Sequence, residues 1–195
     1  MTIEILTLRG EALEAALDDL ARLRIAVFRD WPYLYDGTLD YERRYLKAYR
    51  TSPGAIVVGA FDGARLVGAA TGTPLEDHSE EFAVPFAGTG LPLDRIFYCA
   101  ESVLLPEYRG RGLGHAFFDA REAQARALGR THAAFCAVSR PADHPARPAD
   151  YRPLDAFWMK RGYAPIPGAF ARYSWKDRGE AEETAKSMQV WWKAL

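Results

Sequence analysis

The sequence predicts one mixed α/β domain, in the α+β sense, of about seven strands and about four helices. Three observations carry this. The chain has 195 residues, enough for one domain with a sizeable core. Its hydrophobic content of 49% is that of an ordinary globular protein. Its apolar period switches repeatedly between strand-like and helix-like, in the order β, α, α, β, β, irregular, β, α, β, α, β, β, with no repeat, low-complexity tract or linker.

Residues 2–8 alternate, Ile3, Ile5 and Thr7 against Glu4, Leu6 and Leu8, which predicts a first strand broken by Gly10. Residues 12–30 are helical, with Leu13, Ala16, Leu17, Leu20, Leu23, Val27 and Phe28 on the buried stripe. Trp31-Pro32 ends that helix, because the residue before proline avoids the helical region. Residues 33–37 are an aromatic-rich loop. A second helix, about residues 40–50, puts Tyr41, Tyr45, Leu46 and Tyr49 on one side. Pro53-Gly54 is a turn, and residues 55–61 and 65–73 are two strands around the hairpin signal Asp62-Gly63. Residues 74–93 are irregular or short-helical, with Phe82, Val84 and Phe86 to bury. Residues 132–139 form a strand; residues 140–153 carry four prolines and cannot be regular. Residues 154–161 are a short helix closed by Gly162, and residues 171–176 a strand. Residues 179–186 read as a charged loop or a single turn. The aromatic and β-branched content of residues 188–192 favours a closing strand.

The most informative stretch is 96–129. Residues 96–105 are an apolar run without helical period, a buried strand that Pro106 stops because proline cannot donate to a ladder. Then comes Arg109-Gly110-Arg111-Gly112-Leu113-Gly114. After it Leu113, Phe117, Ala120 and Leu128 make a helical stripe, with Asp119, Glu122, Gln124 and Arg126 mostly off it. A helix whose first turn is glycine-rich presents free N–H groups and the positive end of its dipole without side chains in the way, which is a phosphate site. A Walker loop fails, since Gly114 is followed by His115 and Ala116 rather than Lys-Ser/Thr. The dinucleotide fingerprint wants a glycine where His115 stands, and a turn that directly follows the first strand of its domain. Arg109, Gly112 and Gly114 instead satisfy Arg/Gln-x-x-Gly-x-Gly/Ala.

That pattern, with its lead-in Leu104-Leu105-Pro106-Glu107-Tyr108, resembles the acetyl-CoA signature of the GNAT superfamily of N-acetyltransferases. Phe157-Trp158-Met159-Lys160-Arg161-Gly162-Tyr163 resembles that family's late-helix signature, Phe-Tyr-x-Lys-x-Gly-Phe. The layout resembles the family over the whole chain, and residues 98–129 carry the specific motif. The resemblance implies a mostly antiparallel central sheet and acetyl-CoA as cosubstrate. It puts the pyrophosphate on the N–H groups of Arg109, Gly110, Arg111, Gly112, Leu113 and Gly114, with the two arginines adding charge. It pairs the pantetheine amides, like an added strand, with the backbone of Val103, Leu104 and Leu105. It also implies a splay between the strand ending at Leu105 and the strand 132–139. In many members the tyrosine of the late motif protonates the departing thiolate. Here that position is Trp158, whose indole has no acidic proton, and the family's usual asparagine is Tyr151. Trp158 is read as packing against the pantetheine arm or in the core.

Acetyl transfer to an amine needs the neutral amine. An alkylammonium of pKa ~10.4 costs roughly 4.6 kcal/mol to deprotonate at pH 7. A general base is therefore expected. Glu101, a carboxylate inside an apolar strand, is the leading candidate, against the alternative that it is paired with a neighbouring arginine. Strand parity groups it with Val103 and Leu105, opposite Tyr98 and Ser102; a bulge would change this, and Tyr98 is the reserve candidate. An N–H near Val103 and Leu104 is expected to receive the developing oxyanion. The family's acceptor pocket is lined by the first two helices and their connection, where Trp31, Tyr33, Tyr35, Asp36 and Tyr41 fall. An aromatic wall with one acid suits a small cation, although such aromatics also fill core edges. His144 and Asp143 are read as solvated loop, as is the run Glu180 to Glu183.

The net charge of −1 gives no sign of a nucleic-acid or membrane surface. No transmembrane span or signal peptide is visible, and Cys99 and Cys136 read as free buried thiols, so a cytoplasmic protein is expected. His78, His115, His132 and His144 show no metal-ligand spacing, and no metal is expected. The expected activity is acetyl transfer from acetyl-CoA to a small-molecule amine. The alternatives are a non-catalytic acyl-CoA-binding module, motivated by Trp158, and a protein or peptide N-acetyltransferase, against which the near-zero charge counts. A homodimer is among the expected partners.

Overall fold

A computed structural model of the chain describes residues 2–78 and 80–195. The elements are β1 (Glu4–Leu8), α1 (Gly10–Phe28), α2 (Leu39–Thr51), β2 (Ile56–Asp62), β3 (Arg65–Pro74), α3 (Glu80–Ala83), β4 (Ile96–Tyr98), β5 (Ser102–Leu104), α4 (Leu113–Ala127), β6 (His132–Val138), α5 (Asp155–Lys160), β7 (Ala164–Lys176) and β8 (Glu183–Ala194). All eight strands belong to one mostly antiparallel sheet, in the order β1-β2-β3-β4-β6-β8-β7, with β5 also paired to β3. Among the described residues no helix is long and apolar enough to cross a membrane.

Local sequence explains the boundaries that matter. Thr38 caps α2 by accepting from the Tyr41 N–H at 3.3 Å. α1 and α2 lay their apolar stripes on one face of the sheet, where Leu13, Leu20, Phe28, Leu46 and Tyr49 meet Val57, Ala69 and Val103. α4 covers the opposite face, with Phe117 and Phe118 against Val58, Phe97, Phe135 and Tyr163.

The apolar run at 96–105 is two strands, not one. β4 pairs in parallel with β6, whereas β5 pairs only with β3. Between them Ala100 donates to the Thr71 carbonyl at 3.1 Å while the Thr71 N–H donates to the Glu101 carbonyl at 3.0 Å. Both residues thus oppose Thr71, which is a β-bulge of one extra residue. Beyond it β5 follows β3 and parts from β6, so the sheet opens into a cleft at the strand ends.

Four expectations need correction. Val84 is 66% exposed, since the buried side of its short turns is taken by Phe82 and Phe86. Glu122, expected off the α4 stripe, is buried under Arg161, Lys193 and Tyr163, while Leu128 lies past the helix and is exposed. β7 begins at Ala164 rather than 171; Pro165 and Pro167 are tolerated because β7 is an edge strand with a register shift. Residues 183–186 are strand rather than loop: Lys176 pairs with Glu183, and the buried Lys186 ammonium donates to the Trp175 carbonyl and lies 3.3 Å from Asp177.

Candidate active site

The cleft between β5 and β6 measures about 1390 Å³. Its walls come from the bulge, the glycine turn, α4, β6, the proline loop and α5. Gly110 and Gly112 adopt φ of +75° and +80°, a region that favours glycine, and no atom lies within 4 Å of where a Cβ would stand. The turn therefore leaves open space in front of the first N–H groups of α4, whose Leu113 and Gly114 have no intrahelical partner for them. A diphosphate fits that cradle. The Arg109 guanidinium lies at the cleft and donates to the Leu104 carbonyl at 3.4 Å. Arg111 turns away from it, donating to the Glu107 carbonyl at 3.0 Å and covering the Tyr108 ring.

The free edge of β5 follows from its pairing. Leu105 donates to the Val67 carbonyl and Glu101 accepts from Thr71, so these residues turn their backbone toward β3. By alternation Ser102 and Leu104 point theirs into the cleft. Of the three backbone positions expected there, Leu104 lines the cleft. Val103 is wholly buried in the α1 face, and Leu105 packs against both core clusters. Trp158 lines the cleft with its ring 5.0 Å from that of Phe135 and 5.1 Å from that of Trp191. Trp31 packs at a tilt against His144 and edge-to-face against Tyr151 at the cleft rim.

A second cavity, about 80 Å³, sits on the α1–α2 face. Tyr33, Tyr35, Tyr41, Tyr45, Tyr98, Phe82, Trp175 and His78 form its walls, and Glu101 and Arg24 are its charged groups. Phe28, Tyr33, Ala100 and Glu101 line both spaces, so the bulge is where they meet. Parity alone put Tyr98 opposite Glu101; the extra residue turns both to this pocket.

Glu101 is 7% exposed and its carboxylate is paired with the buried Arg24. Tyr45 and Tyr49 donate to its other oxygen at 3.1 and 3.4 Å. Glu101 is thus an arginine-paired carboxylate that also lines both spaces. Burial works against the Arg24 charge, yet Glu101, Tyr45 and Glu42 together hold it protonated well above its ordinary range. Burial pushes the phenols of Tyr33, Tyr45 and Tyr98 up and the His78 imidazole down to about 4. Cys99 and Cys136 are free and buried, and burial pushes Cys136 up to about 12.

Two expected pocket residues lie elsewhere. Asp36 is on the surface, where Lys176 foremost, at 3.3 Å, and Arg29, at 3.2 Å, hold its carboxyl below the usual range. Trp31 belongs to the cleft rim. Asp143 is exposed. Several residues that shape the site escaped sequence reasoning. Arg121, 1% exposed on α4, donates to the Glu101 carbonyl and the Ser102 hydroxyl, both at 2.9 Å, and so fastens the bulge from behind. Arg140 pairs with Asp177 and donates to the carbonyls of Pro32 and Tyr33, anchoring the α1–α2 connection. Arg24 and Glu42 also went unnoticed, although an arginine four residues after Leu20 and four before Phe28 was a visible signal.

The sequence profile of the "Acetyltransferase (GNAT) family" matches residues 20–149. No curated protein matches the chain. Among solved structures, yncA of Salmonella typhimurium, determined with its cofactor acetyl-CoA, is similar with a TM-score of 0.59 and 12% identity over 98% of this chain and 94% of that one. The ribosomal-protein-alanine N-acetyltransferase of Brucella melitensis has a TM-score of 0.63 and 16% identity over 97% and 99%. An acetyltransferase of Thermus thermophilus has a TM-score of 0.58 and 15% identity over 100% and 98%. At these identities the likeness is one of fold.

Proposed function

The chain belongs to the GNAT acetyltransferase family, which uses acetyl-CoA, and from that premise we propose that it acetylates the amine of a small-molecule acceptor. The observation that carries this reading is the bulge at residues 99–101. It frees the β5 edge beside the glycine turn, and it turns Glu101 to the point where the aromatic pocket opens on the cleft. An aromatic pocket of about 80 Å³ favours a small acceptor over a protein chain.

Bound acetyl-CoA supplies a thioester-activated acetyl group. The N–H groups from Gly110 to Gly114 hold its pyrophosphate, and Arg109 adds charge. Ser102 and Leu104 offer backbone groups to the pantetheine amides as an added strand, and Trp158 packs along that arm. An N–H of the same edge receives the charge that develops on the carbonyl oxygen. Glu101, oriented by Arg24, Tyr45 and Tyr49, takes the proton of the entering ammonium directly or through one water. The amine nitrogen then bonds to the carbonyl carbon as the carbon–sulfur bond breaks, the sulfur leaves as thiolate, and the surplus proton of the acylated nitrogen passes to that thiolate to give the amide and the free thiol. Tyr98, the reserve candidate, lines the aromatic pocket but not the cleft.

A thermal-shift titration and a thiol-release assay across an amine panel test this together. Acetyl-CoA at 100 times its dissociation constant should add about 2.7 kcal/mol of stability. Thiol release with small amines is expected. Binding without thiol release from any acceptor would leave an acyl-CoA-binding module, and release with peptide N-termini alone would make the acceptor a protein.

A further inference from the structure

The aromatic pocket ends on Arg24 and Glu101, and Glu42 lies buried behind Arg24. The Arg24 guanidinium stands between Glu42 of α2 and Glu101 of the bulge and pairs with both. Glu42 is 0% exposed, and its Oε1 accepts no hydrogen bond. The other titratable groups facing the cluster are neutral at pH 7, because burial pushes Tyr33, Tyr35, Tyr41, Tyr45, Tyr49 and Tyr98 up and His78 down. Arg121, behind the bulge, directs its donors to the carbonyls of Phe117, Thr71 and Glu101 and to Ser102. Two carboxyl groups therefore share one guanidinium, at and behind the end of a cavity whose remaining wall is mostly aromatic. A buried carboxylate without a full counter-charge is costly, and a second cation entering the cavity relieves that cost. Aromatic faces favour the same cation.

Resting on the acetyl-transfer reading above, we infer that the acceptor is a compact amine with an apolar body and no carboxylate, recognised as its ammonium ion by the Glu101–Arg24–Glu42 cluster. Size agrees. A cavity of about 80 Å³, at roughly 10–15 Å³ for each water-sized group, holds roughly five to eight such groups, which is the size of benzylamine. An amino acid would carry its carboxylate toward Glu101. Arg24 and Glu42 act here as positioning residues, since they reach the ammonium through Glu101.

The test uses the full chain and benzylamine as the probe. In thiol release, kcat/KM for benzylamine should exceed that for phenylalanine by about 100-fold, because like charges brought together cost several kcal/mol. Glu42→Gln removes one of the two carboxyl groups and should raise KM for benzylamine about tenfold with kcat nearly unchanged and the acetyl-CoA thermal shift intact. The wild-type protein gives a reading that does not depend on that variant folding. With CoA bound, benzylamine should raise Tm at concentrations about tenfold below those at which benzyl alcohol does so. Equal shifts by amine and alcohol, or a preference for phenylalanine or a peptide, would overturn the inference and leave acetyl transfer standing. Stabilisation by benzylamine with no thiol release from any amine would support the cluster as an ammonium site and overturn the acetyl-transfer reading instead.

Discussion

Acidification probes the aromatic pocket through His78. This imidazole packs against Tyr98, Phe82 and Tyr45, and burial lowers its pKa from 6.5 to about 4. The unfolded chain takes up the proton near the ordinary value, while the folded pocket resists it. The stability that rests on a neutral His78 is therefore intact above pH 6.5 and is lost as the pH falls toward 4. At roughly 1.36 kcal/mol per pKa unit the whole effect is about 3.4 kcal/mol. By about pH 4.5, about 2.5 kcal/mol of it is gone. The assay is urea unfolding of the wild type and of His78→Gln at about pH 7.5 and about pH 4.5. Depressed carboxyls such as Asp177 and Glu122 also lose stabilisation in acid, but they do so in both proteins and cancel in the comparison. The wild type should lose about 2.5 kcal/mol more than the variant on acidification. Equal losses, within about 0.5 kcal/mol, would show that His78 is not held neutral by this pocket.

Three other changes separate the parts of the site. Gly112→Ala meets no atom within 4 Å, so its cost is that of φ +80°, about 1–2 kcal/mol in urea unfolding. Calorimetry should show acetyl-CoA affinity falling about tenfold or more, and unchanged affinity would move the pyrophosphate off this turn. Glu101→Gln should lower kcat by about 10²–10⁴ with acetyl-CoA affinity unchanged. An unaltered rate and pH profile would remove Glu101 as the base. Arg24→Met leaves Glu42 and Glu101 buried without their cation and should cost about 3–5 kcal/mol, read as a lower urea midpoint. A midpoint within about 0.5 kcal/mol of the wild type would mean that the cluster is not a buried ion pair.

What was legible in the sequence follows from which interactions are local. The helices announce themselves by periodicity, and the glycine turn by residues whose backbone requirement is written in their identity. The element order and the glycine turn could therefore be read from the sequence. The bulge could not. Parity along residues 96–105 assumes one residue against one, and the extra residue opposite Thr71 is specified partly by Arg121 reaching across from α4. Asp36 and Trp31 were misplaced for a similar reason. Their neighbours Lys176 and His144 are more than a hundred residues away in sequence. Arg24, Glu42 and Arg121 were legible but overlooked: each falls four residues from a buried apolar position, where a stripe drawn from apolar residues alone passes over them.

A crystal structure of the chain with CoA and benzylamine tests the central claim most directly. The pyrophosphate is expected over the N–H groups from Gly110 to Gly114, the pantetheine along Ser102 and Leu104, and the sulfur at the bulge, with the ammonium in hydrogen-bond reach of Glu101. A pyrophosphate bound away from the glycine turn, or a sulfur on the far side of the cleft from Glu101, would contradict it.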